Sequence, residues 1–318
     1  MKVLKVLLKS FAVFLSFTVF FLFLFFPFND LSQLVSDQVS KATQNRVFLQ
    51  FQNLSLSLFP VGVQLQQVSL DTTTGLQLKL AELVLQPSVF GALNKKPFGS
   101  VEASGFLNGQ VQVKLGSGPK SEQGNERYQL NLKMENLRLD EAKKWAILPL
   151  ELQGNLSSEL SALADPTFKD QPNSDFSFNV KNFKIPNSNV NLGNLGSINL
   201  PELKLRKLDG KGRLENSSLV VESLQLGQSG DDINGSIKGQ IQLNIDNIRD
   251  DFQKREMIIP RFGAYSFDVR LNISPDFEKR ASLFLIFISG YKTQVPGQYN
   301  FKISGSNLQL PPTITALR

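Results

Sequence analysis

The hydrophobic and polar residues of this chain alternate along most of its length, a pattern typical of β-strands with one apolar face. The residues between the apolar positions are mainly Gln, Asn, Ser or Lys. The clearest runs are Leu54/Leu56/Leu58, Val63/Leu65, Leu76/Leu78/Leu80, Leu130/Leu132/Met134, Phe176/Phe178/Val180, Leu203/Leu205, Ile241/Leu243/Ile245, Tyr265/Phe267/Val269/Leu271/Ile273 and Tyr299/Phe301/Ile303. Each run predicts a strand with one apolar and one polar face.

Turn sequences separate these runs. Asn108-Gly109 stands between Phe106-Leu107 and the alternating stretch from Val111 to Leu115, which predicts a two-residue hairpin. Asp209-Gly210, Asn234-Gly235 and Gly154-Asn155 are further turn candidates. The apolar face shifts by one residue at Gln66-Gln67 and at Ala81-Glu82, which predicts a β-bulge at each place.

Short helices are predicted from Pro87 to Leu93, from Leu139 to Ile147 and from Pro275 to Ser289. The last has Ser274 as its N-cap and proline at its first position. Its stripe consists of Phe277, Ala281, Phe284, Leu285 and Ile288. We expect this stripe to close over one end of a sheet. The other sides of the helix are apolar too, so it is either deeply buried or contacts lipid or a partner, and Phe277, Phe284, Leu285 and Ile288 are its candidate contact residues.

The predicted fold is therefore mainly β, with a long, curved antiparallel sheet and a few short helices at its margins. A polar, proline-containing linker at 164–174 suggests two halves. A sheet with one apolar face must cover it, either by packing against a second sheet or by curling around an apolar ligand. Both arrangements give the same sequence pattern. The candidate groove face consists of Val63, Leu65, Leu76, Leu78, Leu80, Ile241, Leu243 and Ile245.

An uncharged, mostly apolar stretch from Ser10 to Asn29 predicts a membrane anchor. Twenty residues form a helix of about 30 Å, the thickness of a bilayer's hydrocarbon core. Lysines precede the stretch, which places the N-terminus in the cytosol and the remainder on the far side. A cleaved signal peptide is the alternative, but the run ends in Phe26-Pro27-Phe28-Asn29 without a small-x-small site. The anchor and its flanks include Lys2, Lys5, Lys9, Phe11, Phe20, Phe26 and Phe28.

The expected order of segments follows from this anchor. Residues 1–9 are cytosolic, 10–29 form the anchor, and 30–45 form an amphipathic helical connector with Leu31, Leu34, Val35 and Val39 at helical spacing. The β-rich domain over 46–318 is then extracytoplasmic.

Composition removes several classes of function. The 318 residues include no Cys and no His, which excludes disulfides, thiolate nucleophiles, histidine-based triads and the common zinc sites. Three of the six excess positive charges are the lysines before the anchor, and no basic patch with interleaved aromatics suggests nucleic acid. Asp231-Asp232 and Asp246, Asp250 and Asp251 fit solvated turns better than a calcium loop. We therefore expect neither a cofactor nor catalysis.

The sequence also resembles two related families. The end of the anchor, the stretch from Leu54 to Leu70, and Leu83 to Leu93 resemble the opening of AsmA-like proteins, in which strands and a proline-glycine turn lead to a Pro-Ser and a short helix. The stretches from Leu208 to Leu243 and from Pro296 to Pro311 resemble the type II secretion system protein N (GspN) family. The resemblance covers most of the chain and brings no catalytic residue.

The resemblance implies a bacterial inner-membrane protein with one anchor and its bulk in the periplasm. Its expected function is that of a non-enzymatic component of type II secretion, whose partners are other subunits of that system. The alternative is an AsmA-like module that binds or transfers phospholipid between the two membranes, with acyl chains in an apolar β-sheet groove.

Overall fold

The chain is mainly β, with one long antiparallel sheet and a few short helices, as predicted. The structure, a computed structural model, describes residues 28–58, 61–73, 75, 77–121, 123–142, 150–191, 197–250 and 255–317, together with Phe14 and Phe17. The chain forms two compact units, residues 1–79 and 80–318.

Strands account for most of the described residues. They are β1 (Val47–Gln50), β2 (Asn53–Leu58), β3 (Val61–Thr72), β4 (Gln77–Pro87), β5 (Gly99–Phe106), β6 (Gly109–Ser117), β7 (Tyr128–Arg138), β8 (Gln153–Ala164), β9 (Asn173–Ile185), β10 (Ser188–Asn191), β11 (Ser197–Leu200), β12 (Leu203–Glu215), β13 (Ser218–Leu226), β14 (Ile233–Asp250), β15 (Arg255–Ile273), β16 (Gln298–Gly305) and β17 (Thr313–Ala316). The α-helices are α1 (Ser32–Ala42), α2 (Val89–Leu93), α3 (Leu139–Ala142), α4 (Pro275–Arg280) and α5 (Ser282–Leu285), with 3₁₀ helices at Phe28–Leu31 and Ile286–Tyr291.

In the first unit, β1 and β2 lie end to end along one edge of β3. Both keep a single antiparallel register with β3, so no residue is inserted at Gln66-Gln67. The apolar face shifts there by a kink instead: Gln67 has a φ of 51°, and Leu65 and Val68 on either side are both buried. The predicted irregularity is present, but it is not a one-residue bulge.

In the second unit, the sheet is an antiparallel meander. From β4 to β9, and then from β12 to β17, each strand pairs with the next one in this order. Along the chain, the hairpin of β10 and β11 comes between β9 and β12 and forms a separate two-stranded sheet. In the main sheet, β9 pairs directly with β12. The bulge expected at Ala81-Glu82 lies in the facing strand, where Gly105 has a φ of 87° and the pairing of β5 with β6 shifts. The backbone amide of Ala81 leaves no room for a side chain on Gly105, so only glycine fits.

The predicted turns need two corrections. The hairpin of β5 and β6 turns at Leu107-Asn108 rather than at Asn108-Gly109. Both turn residues have positive φ, and Gly109 is already paired in β6. Asp209-Gly210, Asn234-Gly235 and Gly154-Asn155 lie inside strands rather than at turns. Gly210 stays in its strand because the Phe178 ring of the neighbouring strand occupies the space of its absent side chain. A local turn motif does not include such a cross-strand contact.

The division expected near 164–174 is not where the compact units separate. The strands on either side, β8 and β9, are paired along their length within the second unit. The loop between them is also held from outside. The Gln171 amide exchanges two hydrogen bonds with the backbone of Ile245, at 2.9 and 3.0 Å, and Asp170 accepts one from Asn125 at 2.9 Å. Hydrogen bonding therefore turns a linker-like sequence into a fixed loop.

The helix expected from Pro275 to Ser289 is broken into three short segments. Ser274 caps α4 as predicted, since its hydroxyl accepts a hydrogen bond from the Phe277 amide at 3.2 Å. The helix then ends at Arg280, because Ala281 leaves helical geometry, with φ −101° and ψ 14°, where it packs on the sheet. The aromatic and β-branched run that follows has low helix propensity and continues as α5 and a 3₁₀ helix.

The other predicted helices are shorter than expected. α2 begins at Val89 because Pro87 still belongs to β4. α3 covers Leu139–Ala142, and residues 143–149 lie outside the described part. In the connector, α1 forms over Ser32–Ala42.

Among the helices described, none has both the length and the apolar character needed to span a bilayer. The predicted anchor lies mostly outside the described residues. Lys2, Lys5, Lys9, Phe11, Phe20 and Phe26 are not described, and of Phe28 only the backbone is described, at the start of a 3₁₀ helix. The anchor and its orientation therefore stay predictions.

Candidate apolar binding face

The registers of the second unit place apolar residues in line from β4 to β17. Residues that are directly paired on neighbouring strands point to the same face. Following the pairs from β4 to β17 gives the row Leu85, Val101, Val113, Leu132, Leu160, Phe176, Gly212, Val221, Gly239, Phe267, Ile303 and Ile314. Every member is apolar or glycine. We call the face that carries this row the apolar face.

A second row on the same face is almost as uniform. It consists of Leu83, Ala103, Val111, Met134, Ser158, Phe178, Gly210, Leu224, Ile237, Val269, Phe301 and Ala316. At about 4.8 Å per strand, each row measures on the order of 50 Å along the sheet. That is longer than the hydrocarbon core of a bilayer, about 30 Å.

Glycines on this face lie beside aromatic rings of adjacent strands. A Cβ built on Gly212 would come within 2.6 Å of Phe176 Cζ, and one on Gly239 within 2.7 Å of Phe267 Cδ1. The rings therefore fill the gaps left by the missing side chains. The face stays apolar at its glycines because the neighbouring rings cover the backbone.

One end of the apolar face is covered. Over β15 and β16, Val269, Ile273, Tyr299 and Phe301 are buried in one cluster. Residues 275–291, from α4 through the 3₁₀ helix at Ile286–Tyr291, form the lid. Its residues Phe277, Ala281, Leu285, Ile288 and Tyr291 pack on the strands. We call this region the covered end.

The face is open over β5, β6 and the first half of β7. None of its residues there is buried: Val101 is 37% exposed, and Ala103, Val111, Val113, Leu115, Leu130, Leu132 and Met134 are all partly exposed. We call these eight residues the open end. Further along β7 the face closes again, since Leu137 is buried.

The opposite face is polar. Directly paired positions on it include Ser100, Lys114, Asn131, Ser161, Asp175 and Arg213. Ion pairs run along it, among them Lys133–Glu135 at 2.7 Å and Lys211–Glu222 at 3.4 Å. Such exposed pairs contribute little stability, about 0–1 kcal/mol each, and chiefly keep this face hydrated.

A depression of about 470 Å³ lies among these charges. Its lining combines charged residues of both signs, Lys114, Lys133, Lys211, Glu159 and Asp175, with Leu132, Leu160 and Phe176.

Charged contacts at the covered end hold the lid in place. Glu278 of α4 accepts hydrogen bonds from Lys292 and from the Tyr299 hydroxyl, both at 2.6 Å. Lys292, and then Tyr299, lower the pKa of Glu278. Burial, together with the carboxylate beside it, raises the pKa of Tyr299 to about 12. The Glu278 carboxylate and the Tyr299 hydroxyl therefore keep their hydrogen bond throughout the neutral range.

Two acidic residues in the loop between β13 and β14, Asp231 and Asp232, bind to the start of β12 and to α4. Asp231 accepts hydrogen bonds from the backbone and side chain of Arg206, at 2.9 and 2.7 Å. Asp232 accepts hydrogen bonds from the Lys204 amide at 2.8 Å and from Arg280 at 2.6 Å. These carboxylates are thus not merely solvated turn residues: they hold β12 and α4 in position. In the described part of the chain, no group of three or more acidic side chains could hold a metal ion.

The candidate groove residues fall in different places. Ile241, Leu243 and Ile245 lie together on the apolar face, where Ile241 pairs with Leu219 and Tyr265. Val63 and Leu65 belong to the first unit, opposite Leu56 and Leu54. Leu78 and Leu80 lie on β4, with Leu80 buried, and Leu76 lies outside the described residues.

Three of the four candidate contact residues of the last helix pack against the sheet. Phe277 is buried, and Leu285 and Ile288 pack against the covered end, while Phe284 is half-buried. The exposed side of this segment carries Leu283, Ile286 and Phe287 instead. The sequence prediction named the stripe but could not tell which side faces outward, because both sides are apolar.

None of the open-end residues was among the candidate groove residues, although the pattern predicted strands at Val111–Leu115 and at Leu130, Leu132 and Met134. Val101 and Ala103 stand between Ser, Glu and Gly, and the run is too short to stand out. The alternation of polar and apolar residues over Ser100–Ser104 is the sequence feature that indicates a strand here.

No protein-family model, no curated protein and no solved structure matches this chain. The resemblance to the GspN and AsmA-like families therefore stays a prediction.

Proposed function

We propose that the apolar face binds the acyl chains of lipids, as the AsmA-like alternative implies. The observation that supports this most strongly is the open end, a set of aligned apolar side chains that no second layer among the described residues buries. A dry core between two sheets would bury these residues nearly completely, as the covered end does. A water-soluble surface rarely keeps so large a contiguous apolar area without an occupant.

Energetics favour an extended apolar ligand. Each buried CH₂ group contributes about 0.8 kcal/mol, so a chain lying along the rows gains affinity in proportion to its length. The rows carry no charged side chain, and Ser158 is the polar exception in the two rows. Binding would therefore depend on chain length and little on chemical detail.

The curvature of the sheet, the membrane anchor and the location of the protein are part of the same proposal. A sheet that curves around its apolar face, a single anchor over 10–29, and a periplasmic position at the bacterial inner membrane would place this face between two membranes. The chain would then act as a non-enzymatic lipid-binding or lipid-transfer module.

A matched set of variants tests this proposal. Leu132→Asp with Leu160→Asp places two charges on the apolar face at directly paired positions. The control, Asn131→Asp with Ser161→Asp, places the same charges at the adjacent paired positions of the same two strands, on the polar face. The measurement is the dissociation constant for a fluorescent fatty acid, with the urea midpoint as a check of folding.

We expect the apolar-face pair to weaken binding at least about ten-fold, equivalent to about 1.4 kcal/mol, and the control to leave it unchanged. Equal binding by the two folded variants would contradict acyl-chain binding on this face. So would failure of the unsubstituted chain to bind the probe.

The second candidate is the secretion component implied by the GspN resemblance, which would act through protein contacts. The outer edge of β17 favours it, since among the described strands β17 pairs only with β16. An unpaired edge offers backbone donors and acceptors to an extended segment of a partner. A photo-crosslinker at Thr315 should then capture a purified secretin or inner-membrane secretion subunit, and the same group at Asn131 should not. Absence of a Thr315 adduct with each purified subunit would contradict this candidate.

A further inference from the structure

We propose that the exposed side of the lid over the covered end docks on an anionic lipid bilayer. The docking element is an apolar knob, defined as Leu283, Ile286 and Phe287. This surface differs from the apolar face of the sheet, and the inference does not depend on whether that face holds acyl chains.

The knob consists of large apolar side chains that point into solvent together. Leu283 is 72% exposed, Ile286 63% and Phe287 77%. Their spacing of three and four residues places them on one side of a helical turn. Three such side chains within five residues form a patch, which a solitary exposed hydrophobic residue does not.

The knob cannot turn inward, because the other side of the segment is already packed. Leu285, Ile288 and Tyr291 lie against the buried cluster of the sheet. The Tyr291 hydroxyl donates a hydrogen bond to the Ile314 carbonyl oxygen at 2.7 Å, which fixes the end of the lid to β17. The sheet therefore holds the knob outward as a preformed element.

Charge around the knob fits a bilayer. Residues 281–291 include no charged side chain. Lys279-Arg280 precede this run and Lys292 follows it, and with Asp276 and Glu278 of α4 they leave residues 275–292 with a net charge of +1. Arg280 and Lys292 are paired with Asp232 and Glu278, yet their side chains stay 40% and 41% exposed. An apolar stretch between basic residues is typical of segments that lie in the interface of an anionic membrane.

The chemistry of the knob favours lipid over a protein partner. Its side chains offer no hydrogen-bond donor or acceptor, and of the residue types enriched in protein interfaces it contains one Phe but no Trp, Tyr, Arg or Met. Fluid hydrocarbon can accept Leu, Ile and Phe without a complementary pocket. A bilayer is therefore the occupant to which we commit.

Spin labelling tests the proposal directly, because the chain has no cysteine and a single introduced one is labelled uniquely. The experiment places a nitroxide at Phe287→Cys in the full chain, held in nanodiscs of phosphatidylcholine and phosphatidylglycerol. The control is Lys302→Cys, on the polar face of β16, a position that is also exposed. One arm uses the nanodiscs alone and the other adds vesicles of the same lipids.

We expect the label at position 287 to become several-fold more accessible to oxygen than to an aqueous nickel complex in at least one arm. The label at position 302 should stay aqueous in both. A label at 287 that is aqueous in both arms would overturn the proposal. Dipolar broadening between labels would overturn it as well, because it indicates that a second copy covers the knob.

A second variant distinguishes loss of docking from loss of folding. Leu283→Asp should leave the urea midpoint unchanged, since this side chain is exposed, and should reduce the oxygen accessibility at position 287 several-fold. Unchanged accessibility in the folded Leu283→Asp variant would contradict docking through the knob.

Discussion

The covered end and the open end belong to one sheet and share one sequence pattern, but they bury their apolar residues to different degrees. Val269 is 4% exposed and Phe301 3%, whereas Val101 at the open end is 37% exposed. Both regions alternate apolar and polar residues with a period of two. The difference comes from the segment after β15, which returns over its own hairpin and lies on the apolar face.

The formation of a strand and the burial of its apolar face therefore have different causes. Alternation specifies which side chains share a face, and hydrogen bonding to the next strand then aligns them. Whether the face becomes a core depends on an additional element. At the covered end the chain supplies that element from residues 275–291, and the open end leaves its face available to a ligand.

The largest expected effect comes from truncating one phenylalanine at the covered end and one on β9, between the two ends of the same face. Phe301→Ala removes a buried ring from the core of the covered end and should cost about 3–5 kcal/mol, because a cavity remains. Phe176→Ala, on the partly exposed part of the same face, should cost less, about 2 kcal/mol. The measurement is the urea midpoint of each variant. Equal losses at the two positions would mean that the sheet is covered uniformly.

An intermediate effect concerns the loop that connects β8 and β9 and contacts β14. Asp165 is buried, and burial acts to raise the pKa of its carboxyl group. Hydrogen bonds from Thr167 and from the amides of Lys169 and Asp170 outweigh burial, so its pKa is lowered. A lowered folded-state pKa contributes stability above the unfolded value near 4, and this is lost as the pH falls through the folded value.

Asp165→Asn should therefore cost about 2 kcal/mol at neutral pH and flatten the loss of stability below pH about 4. Urea midpoints of the variant and the unsubstituted chain between neutral and acidic pH measure both effects. Amide exchange at Ile245 reports whether the loop also steadies the β14 strand. Asp175→Asn, on the polar face and exposed, is the control, and a variant that keeps the full acid sensitivity would contradict this role of Asp165.

The smallest expected effect tests the attachment of the lid. Tyr299→Phe removes the hydrogen bond to Glu278 and should cost about 1 kcal/mol, because Lys292 still pairs with that carboxylate. A pKa raised to about 12 in the folded state means that the stability from Tyr299 is present below pH about 10 and declines toward pH 12. The urea midpoint between these pH values should therefore fall less in Tyr299→Phe. An identical alkaline decline in both proteins would contradict this assignment.

The sequence determined the strands, their faces and the N-cap at Ser274, because these depend on local alternation and on a side chain that bonds within its own turn. It also indicated an apolar segment near residue 285 that needed a contact. Gly210 is a position that the local pattern does not determine. Asp209-Gly210 suggests a turn in isolation, yet it lies within β12 because Phe178 on the neighbouring strand fills the space beside Gly210.

Only the tertiary structure decided which apolar residues are buried. Leu285 and Leu283 have the same chemistry two positions apart, yet Leu285 packs against the sheet while Leu283 projects into solvent. The same holds for Phe301 and Val101, which lie on one face of one sheet. Burial depends on what lies above a residue, and that is set by long-range contacts that no local pattern contains. The alternation specified the surface, and the path of the chain after β15 determined where that surface stays open.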